Sequence, residues 1–450
     1  RAPDGRFVIG KGGIQATARG RHTGTVMRLA GDGRSAEVLG RGLREPFIGV
    51  HPRTGLVTAS DQQGNFIPAT PLHLIRDGRF YGFRTGHEPP GWEAPPVAEP
   101  LTWIPHPINA SGAGQVWLAD ARMGPLNDAL IHLGYYRPEI FVVRWNERAS
   151  VPQAAVMSLT RALAFAPLHG AVNPADGLLH VTGFQIWGSD AADISGLARL
   201  RPVGTTFPLP REVVPMTEGV LLRFDAPLDP ASATDPANYS AERWEYRRTA
   251  AYGSPHHRLD GTRGQEPMIP SSAHLSRDGR AVFLGIPDMR RVMQMRLGWT
   301  VSAQDGARLA HNAYFTPHEL VRFEPAREGF APLTVDLTPR VVAAAALAEI
   351  SAAEGARLAE LMGCVACHST DGSTLGRVGP SFKGLHGRER EFTDGTRAMA
   401  DEAYLREAIR EPAARIVRGF DRSDTGMPSY EGVLADAQIE ALVLYLKTVE

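Results

Sequence analysis

The sequence predicts a multidomain protein, with an all-β region at residues 1–325 followed by a small all-α domain at residues 340–450. Two observations carry this prediction. Short apolar runs separated by turns rich in glycine, proline and asparagine fill the first part of the chain, a pattern typical of β-sheets. Apolar residues at helical spacing begin only near residue 340. Helices are therefore expected only in the C-terminal part.

The tripeptide Asp-Gly-Arg recurs at 4–6, 32–34, 77–79 and 278–280. Asp-Gly is a strong signal for a two-residue hairpin, because both residues accept the positive φ of the turn. We predict strands in the apolar runs at 7–9, 25–30, 56–59, 72–75, 115–118, 139–143 and 178–181. Many short strands without helices between them indicate a β-sandwich or a β-propeller.

Composition excludes some classes of partner. The formal net charge of −1 over 450 residues gives no reason to expect a nucleic-acid partner. The length suggests about three domains. No apolar run is long enough to predict a transmembrane helix.

The two cysteines of the chain stand three residues apart, in Cys364-Val-Ala-Cys367-His368. This spacing is that of a covalent c-type haem attachment site. Two thiols so placed add to the two vinyl groups of one porphyrin, and His368 then lies where it supplies an axial nitrogen to the iron. The motif predicts one covalent haem c.

Three other kinds of site fit the cysteine pair less well. A zinc site needs four ligands, and the nearby additions are His368 and His386. A thioredoxin-like pair begins a helix after a strand, whereas this pair follows a predicted helix. A structural disulfide leaves His368 without a role.

The residues around the motif resemble a class I cytochrome c domain over 340–450. A helix is predicted at 351–362, where Ser351 and Glu354 form a capping box. The last helix, at 436–449, carries an apolar stripe at helical spacing. The resemblance implies that the two helices cross closely at Gly355, with Tyr445 nearby.

The same resemblance implies the second axial ligand and a partner for the histidine. Gly379-Pro380 matches a Gly-Pro of this family, in which the proline carbonyl accepts the proton of the ligand histidine. Met427, in Gly-Met-Pro, matches the methionine ligand loop. Met362 is too near the attachment site to reach the other haem face, and Met399 begins a predicted helical segment and is expected to pack. The predicted haem-binding residues are Cys364, Cys367, His368, Pro380 and Met427, with His368 and Met427 as the iron ligands.

A second resemblance covers roughly residues 1–205. The segments 42–46, 49–52, 61–68 and 173–188 look like the later blades of a sorbosone/glucose dehydrogenase-like β-propeller. The resemblance implies a quinoprotein sugar or alcohol dehydrogenase that uses pyrroloquinoline quinone (PQQ), with calcium as a further candidate cofactor. A blade takes about 40–50 residues, so this region holds about four or five blades, fewer than the family needs for closure. The propeller is either reduced or completed by a missing part, such as a second chain.

The resemblance gives weak candidates for a quinone or substrate site. Arg44 matches an arginine of the family, but Glu45 stands where the family has asparagine. A lysine that binds the quinone has no counterpart, since no lysine occurs between Lys11 and Lys383. His106, in Trp-Ile-Pro-His-Pro, is the best histidine candidate for the pocket. Asp61 either caps a turn or reaches a calcium ion.

Residues 206–325 resemble an immunoglobulin-like β-sandwich, with half-buried strands predicted at 220–224 and 281–285. Residues 326–339 read as a linker because they are rich in proline. The four predicted units are therefore 1–205, 206–325, 326–339 and 340–450.

These features predict a periplasmic c-type cytochrome that transfers single electrons through one His/Met-ligated haem. The chain begins at Arg1 without a signal peptide, and haem c is attached outside the bacterial cytoplasm, so a processed or truncated product is expected. A redox partner protein is expected. Whether the chain is an enzyme stays open, because it is either the electron-accepting part of a PQQ-type dehydrogenase or a haem-bearing scaffold whose β domains dock a partner.

Overall fold

The computed structural model describes residues 1–14, 20, 22–86, 88–106, 108–109, 111–146, 148–186, 188–203, 206–340, 350–361, 364–373, 379–412, 414–420, 427, 430, 434 and 436–450. The strands of the first half are β1 (Val8–Lys11), β2 (Thr25–Leu29), β3 (Ala36–Arg41), β4 (Phe47–Val50), β5 (Val57–Ser60), β6 (Thr70–Leu74), β7 (Arg79–Phe80), β8 (Thr102–Ile104), β9 (Gly112–Trp117), β10 (Leu130–Gly134), β11 (Glu139–Trp145), β12 (Ala154–Thr160), β13 (His169–Val172), β14 (Leu179–Phe184) and β15 (Ser195–Leu200).

The later strands are β16 (Glu212–Met216), β17 (Gly219–Arg223), β18 (Tyr239–Trp244), β19 (Glu266–Met268), β20 (Ser272–Leu275), β21 (Ala281–Gly285), β22 (Gln294–Ser302), β23 (Arg308–Phe315), β24 (Glu389–Glu391) and β25 (Arg397–Met399). The helices are α1 (Pro230–Ala233), α2 (Ala352–Leu361), α3 (Cys364–Cys367), α4 (Glu402–Arg410) and α5 (Asp436–Thr448). The predicted order of an all-β region before a helical domain is confirmed. Among the helices of these described ranges, none has the length and apolar character needed to span a membrane.

The N-terminal strands form sheets that follow one another along the chain. Strand order is β1-β2-β3-β7 in the first sheet, β4-β5-β6-β8 in the second and β13-β14-β15 in the last, while β9 to β12 form one side of a larger sheet. The first strands of these four sets of strands lie side by side. Strand β4 lies against β1, and β9 lies against both β4 and β13. This is the order expected of propeller blades. A propeller-like domain, either reduced or completed by a missing part, stays a prediction.

The predicted Asp-Gly turns are present, with different connections. Gly33 and Gly279 both have a φ of 69°, and their turns join the antiparallel pairs β2–β3 and β20–β21. Gly78 has a φ of 74°, but its turn joins β6 to β7, which belong to different sheets. Gly5, in the fourth turn, has a φ of 79° and precedes the first strand. The turn signal is therefore correct at all four positions, while a hairpin is formed at two of them.

The middle segment is a sandwich that continues a sheet of the N-terminal region. The sheet β16-β17-β21-β20 faces β18, β19, β22 and β23 across a shared apolar core. Strand β23 also pairs with β12, where Ala155 lies opposite Phe315. One eight-stranded sheet, in the order β19-β18-β22-β23-β12-β11-β10-β9, therefore spans the predicted border at residue 205.

The C-terminal domain is built on the crossing of α2 and α5. A Cβ on Gly355 would lie 1.9 Å from the carbonyl oxygen of Ala441 and 2.7 Å from the Cβ of Tyr445. Only glycine permits this backbone contact, and the crossing expected at Gly355 is confirmed. Helix α4 begins after Asp401, whose side chain accepts a hydrogen bond from the Tyr404 amide at 2.8 Å.

Candidate haem site

The cysteine motif lies on a short helix that directly follows α2. Cys364 begins α3 and is half-buried against the core of the C-terminal domain. The His368 amide donates to the Cys364 carbonyl at 2.9 Å, which continues the helical turn from the first cysteine to the histidine. Cys367 ends α3, and its side chain lies outside the described part of the chain. The backbone thus brings Cys364 and His368 to consecutive turns, as the haem motif requires.

The His368 ring is held in one orientation. Its Nδ1 lies 2.7 Å from the carbonyl oxygen of Pro380, which is the contact that the resemblance implied. The Phe382 ring stacks on it with a centroid distance of 4.5 Å and an interplanar angle of 10°. Because Nδ1 donates to the carbonyl, Nε2 is the nitrogen that would bind iron, and the hydrogen bond makes the ring a stronger ligand. Phe382 was not predicted to have a role; an aromatic residue two positions after the Gly-Pro is the signal that was present in the sequence.

Gly379 makes room for this ring. A Cβ at position 379 would lie 2.3 Å from Cε1 of His368 and 2.6 Å from its Nδ1. The Phe382 amide donates to the Ser369 carbonyl at 2.7 Å and fixes the returning chain beside the histidine. The Gly-Pro pair therefore has two separate roles, since glycine admits the ring and the proline carbonyl orients it.

Of the three methionine candidates, Met427 packs against the core. It is half-buried on the cluster that contains Tyr430 and Leu434. Met399 ends strand β25 with 51% of its surface exposed, so the packing expected for it is wrong. Met362 lies outside the described residues. Met427 is thus the candidate that joins the same core as Cys364.

These residues fit a haem c. They offer an imidazole nitrogen, a thioether sulfur and a thiol next to an apolar core, which is the donor set of a low-spin electron-transfer haem. Within the described ranges, no three residues among His, Cys, Asp and Glu gather at metal-binding distance, so the zinc alternative gains no support there. The assignments to Cys364, Cys367, His368, Pro380 and Met427 stay predictions of function.

Arg44, the quinone candidate, is already engaged by protein groups. Its Nη1 donates to Oε1 of Gln62 at 3.0 Å and lies 3.9 Å from the Glu45 carboxylate. Its guanidinium lies 5.3 Å from the ring centroid of Tyr252. A tricarboxylate quinone needs cationic donors that are not neutralised by a neighbouring carboxylate. The residues around Arg44 therefore do not fit PQQ.

A loop of the middle segment covers the chain next to Arg44. The Phe66 amide donates to the Thr249 carbonyl at 2.7 Å, and the Gly253 amide donates to the Gly64 carbonyl at 3.1 Å. A Cβ at Gly253 would lie 1.7 Å from Nε2 of the buried Gln63. The middle segment therefore closes over the turn at 63–68.

Asp61 is a capping residue in this arrangement. It is fully buried, and its carboxylate accepts hydrogen bonds from the amides of Arg44 at 2.7 Å, Glu45 at 2.6 Å and Gln62 at 2.8 Å. Burial raises the pKa of Asp61 to about 6, against the lowering effect of these backbone donors. Both carboxylate oxygens are used by the backbone, which favours the turn-capping role over calcium binding.

His106 is not connected to Arg44. Burial, with a smaller contribution from Arg137, lowers the pKa of His106 to about 4, and its Nδ1 has no hydrogen-bond partner among the described residues. Among the described residues, no hydrogen bond or ring contact joins His106 to Arg44, Asp61 or Gln62. A shared pocket of His106 and Arg44 stays a prediction.

Comparison with known families decides the nature of the C-terminal domain. Residues 352–450 match the family model described as cytochrome c. The C-terminal domain is a cytochrome c domain. The predicted resemblance over this part of the chain is confirmed. A search of curated proteins gives no match.

Solved structures resemble the chain outside this cytochrome domain only at low scores. An oxidoreductase described as a glucose dehydrogenase from Thermus thermophilus is 19% identical with a TM-score of 0.33, over 44% of this chain and 62% of that one. Another glucose dehydrogenase is 17% identical with a TM-score of 0.34, over 45% and 61%. The PQQ-bound aldose sugar dehydrogenase of Streptomyces coelicolor is 16% identical with a TM-score of 0.28, over 42% and 53%. The matches span less than two thirds of each solved chain.

Proposed function

We propose that this protein is a periplasmic c-type cytochrome that transfers single electrons through one haem, attached at Cys364 and Cys367 and ligated by His368 and Met427. The observation that carries the proposal is the hydrogen bond from His368 Nδ1 to the Pro380 carbonyl. That bond fixes the tautomer in which Nε2 is free of its proton and can serve a metal. A bound haem c would supply a one-electron iron couple.

The residues of the domain have separate tasks in this function. Pro380 and Phe382 keep the imidazole in one orientation, so that little reorganisation accompanies the change of oxidation state. Met427 offers a soft thioether, a ligand that favours the reduced iron and raises the reduction potential. If His368 and Met427 both hold the iron of a bound haem, no position would be left on it for oxygen or peroxide, and the domain would serve electron transfer.

Replacing the second ligand tests this proposal. In Met427→Leu the sulfur is lost while an apolar side chain of similar volume remains against the core. The purified full chain is expected to lose its low-spin absorption spectrum and to show a lower reduction potential. Met399→Leu is the matched control, because Met399 is largely exposed on β25, and it should leave both properties unchanged. A normal spectrum and potential in Met427→Leu would refute the assignment.

The β region has two candidate roles as the source of electrons. The resemblance of the sequence suggests a PQQ-dependent sugar or alcohol dehydrogenase. The engagement of Arg44 by Gln62, Glu45 and Tyr252 does not favour that role. The second role is that of a scaffold that docks a redox partner protein.

An exposed apolar sheet face favours the scaffold role. On β15 and the segment before it, Leu197 is 73% exposed and Ile194 is 76% exposed, and Phe184 of β14 is 55% exposed. Large apolar side chains so close together on a surface are typical of protein contact sites. Haem reduction by sugars or alcohols after addition of PQQ and calcium separates the two roles. Such reduction would support the dehydrogenase, and its absence across both substrate classes would leave the scaffold.

A further inference from the structure

One face of strand β22 is polar and nevertheless buried. Met295, Leu297 and Trp299 of this strand belong to the apolar core of the middle segment. Because side chains alternate between the two faces of a strand, Arg296 projects from the opposite face. Arg296 is 7% exposed, and Glu242, which lies opposite it on the paired strand β18, is 8% exposed. A part of the protein outside the sandwich core must therefore cover this pair.

The two side chains form an ion pair that has a further polar partner. Nε of Arg296 donates to Oε2 of Glu242 at 3.1 Å, and its Nη2 lies 3.0 Å from Oε1 of the same carboxylate. Nη1 of Arg296 donates to Oδ1 of Asn312 on β23 at 2.9 Å. The two charges are thus balanced within the β region, and the pair would be well solvated if this face were open to water.

The cytochrome domain covers this face. Helix α2 lies against β22. Tyr430, which belongs to the apolar core of the cytochrome domain, is close enough to interact with the charge of Arg296. Burial by itself lowers the pKa of Arg296, but Glu242 outweighs this effect and the pKa is raised, with Tyr430 among the smaller causes. The ion pair therefore lies between the sandwich and the cytochrome domain.

Covering an ion pair in this way weakens the contact between the two domains. The two charges lose their hydration when the cytochrome domain docks, while their mutual attraction exists before docking and offsets little of that cost. Interfaces between the domains of one chain are commonly polar and permit relative motion. The contact is therefore specific in its placement without being strong.

We propose that the face of β18 and β22 that carries Glu242 and Arg296 is a reversible docking surface for the cytochrome domain of the same chain. The inference rests on the proposed function, since a domain that passes electrons to a partner protein must present its surface to that partner. In the docked state the β region covers the Tyr430 side of the domain, and in the released state that side is open to a redox partner. The ion pair keeps the docked state from becoming permanent.

The test uses the full-length holoprotein and two changes with opposite expected effects. Arg296→Gln leaves the Glu242 carboxylate without its cation, and because covering an unpaired charge is strongly unfavourable, the cytochrome domain should be released. Glu242→Leu combined with Arg296→Met removes both charges, and the resulting apolar face should dock more tightly. Small-angle X-ray scattering should give a larger radius of gyration than the wild type for the single variant and a smaller one for the double variant.

Arg243→Gln is the matched control. Arg243 of β18 is also buried, at 8% exposure, and it pairs with Glu266 at 2.8 Å and Asp288 at 2.7 Å. It follows Glu242 directly and therefore projects from the other face of the strand. Its variant should keep the wild-type radius of gyration. Equal expansion of Arg243→Gln and Arg296→Gln would indicate a general loosening of the sheet and would overturn the proposal.

Arg357→Glu serves if Arg296→Gln does not fold. The Arg357 side chain on α2 is 51% exposed. Its pKa is raised, mainly by the hydrogen bond to Glu354 and in smaller part by Asp235 of the middle segment. A glutamate at this position would thus face a carboxylate of the other domain, and the chain should expand. Arg397→Glu, on the exposed surface of β25, is its control and should not change the radius of gyration.

A wild-type radius of gyration in Arg296→Gln, or in Arg357→Glu where it alone folds, would overturn the docking surface. A double variant as expanded as the single one would do so too, and a wild-type radius equal to that of the double variant would show that docking is permanent. Each of these results leaves the proposed function intact as long as the absorption spectrum reports a covalent haem. Absence of haem from the wild-type protein would instead overturn the proposed function.

Discussion

Gly355 and the carbonyl oxygen of Ala441 are in backbone contact where α2 crosses α5, and a Cβ at position 355 would lie 1.9 Å from that oxygen. Helix α2 leads directly to the cysteine motif of α3. The position of the haem attachment site is therefore set by this crossing.

Substituting Gly355 by alanine should destabilise the cytochrome domain. The two helices must move apart to admit the methyl group, and overpacking of this kind costs about 3 kcal/mol. The loss is measured by urea unfolding followed through the haem absorbance. Ala353→Ser on the exposed side of α2 is the control, with an expected change within about 0.5 kcal/mol. Equal stability of the two variants would contradict the close crossing.

Substituting Gly379 by alanine should disturb the ligand histidine rather than the fold as a whole. The added Cβ would lie 2.3 Å from Cε1 of His368, so the ring must tilt and weaken its bond to the Pro380 carbonyl. We expect an altered haem spectrum and a higher reduction potential, because a weaker hydrogen bond at Nδ1 makes the imidazole a poorer donor to the oxidised iron. Far-ultraviolet circular dichroism should stay close to that of the wild type. An unchanged spectrum would show that the ring is not confined by residue 379.

The β region should lose stability as the pH falls below about 6.5. Burial lowers the pKa of His73 to about 3, with a smaller effect of Arg248, and both ring nitrogens lack hydrogen-bond partners among the described residues. Between about pH 6.5 and the folded-state pKa of His73, the unfolded state therefore binds more protons than the folded state. The folded state loses stability as the pH falls through that range. His132 and His256, each with its pKa lowered by burial to about 3, act in the same direction. Asp61 acts oppositely below about pH 6, because its pKa is raised.

His73→Phe should reduce this acid sensitivity. The variant keeps an aromatic ring beside Tyr81, whose centroid lies 4.7 Å away, and removes the titrating group. Urea unfolding at pH 4.5 and pH 7, followed by tryptophan fluorescence, should show a smaller difference in stability than in the wild type. The comparison concerns the difference between two pH values, so a packing cost common to both cancels. An identical difference would exclude His73 as a source of the pH dependence.

A fragment of residues 1–205 should be less stable than a fragment of residues 1–325. The shorter fragment lacks β23, which pairs with β12 through Ala155 and Phe315. It also exposes a core that continues into the middle segment. Thermal unfolding with a dye that binds exposed apolar surface should give an earlier and broader transition for 1–205. The same cooperative transition in both fragments would show that the two predicted domains are independent.

Local features of the sequence predicted much of this structure, whereas the pairing of strands that lie far apart in the chain could not be predicted. The φ of Gly33 follows from the Asp-Gly turn, and the crossing at Gly355 follows from the cytochrome resemblance. The pairing of Ala155 with Phe315 joins segments far apart in the chain, and nothing in either strand encodes the choice of partner. Met399 was expected to pack at the start of a helical segment, but the helix begins after Asp401 and Met399 ends strand β25.

The candidate sites show the same difference between local features and long-range contacts. The residues of the candidate haem site lie in short motifs, and the resemblance of those motifs to cytochrome c implied the contact between His368 and Pro380. The surroundings of Arg44 depend on Tyr252, which comes from a different predicted domain. A sequence pattern around Arg44 cannot show that contact, and for this reason the quinone prediction was made without the residue that covers the site.

The proposed function depends on a single covalent haem at Cys364 and Cys367. This haem is tested by the intact mass of the purified full chain after acid denaturation, combined with the alkaline pyridine spectrum of the reduced protein. We expect the mass of the chain plus one haem, a c-type spectrum with one haem per chain, and loss of covalent haem in the variant Cys364→Ser/Cys367→Ser. A chain mass without haem, or a haem that denaturation releases, would contradict it.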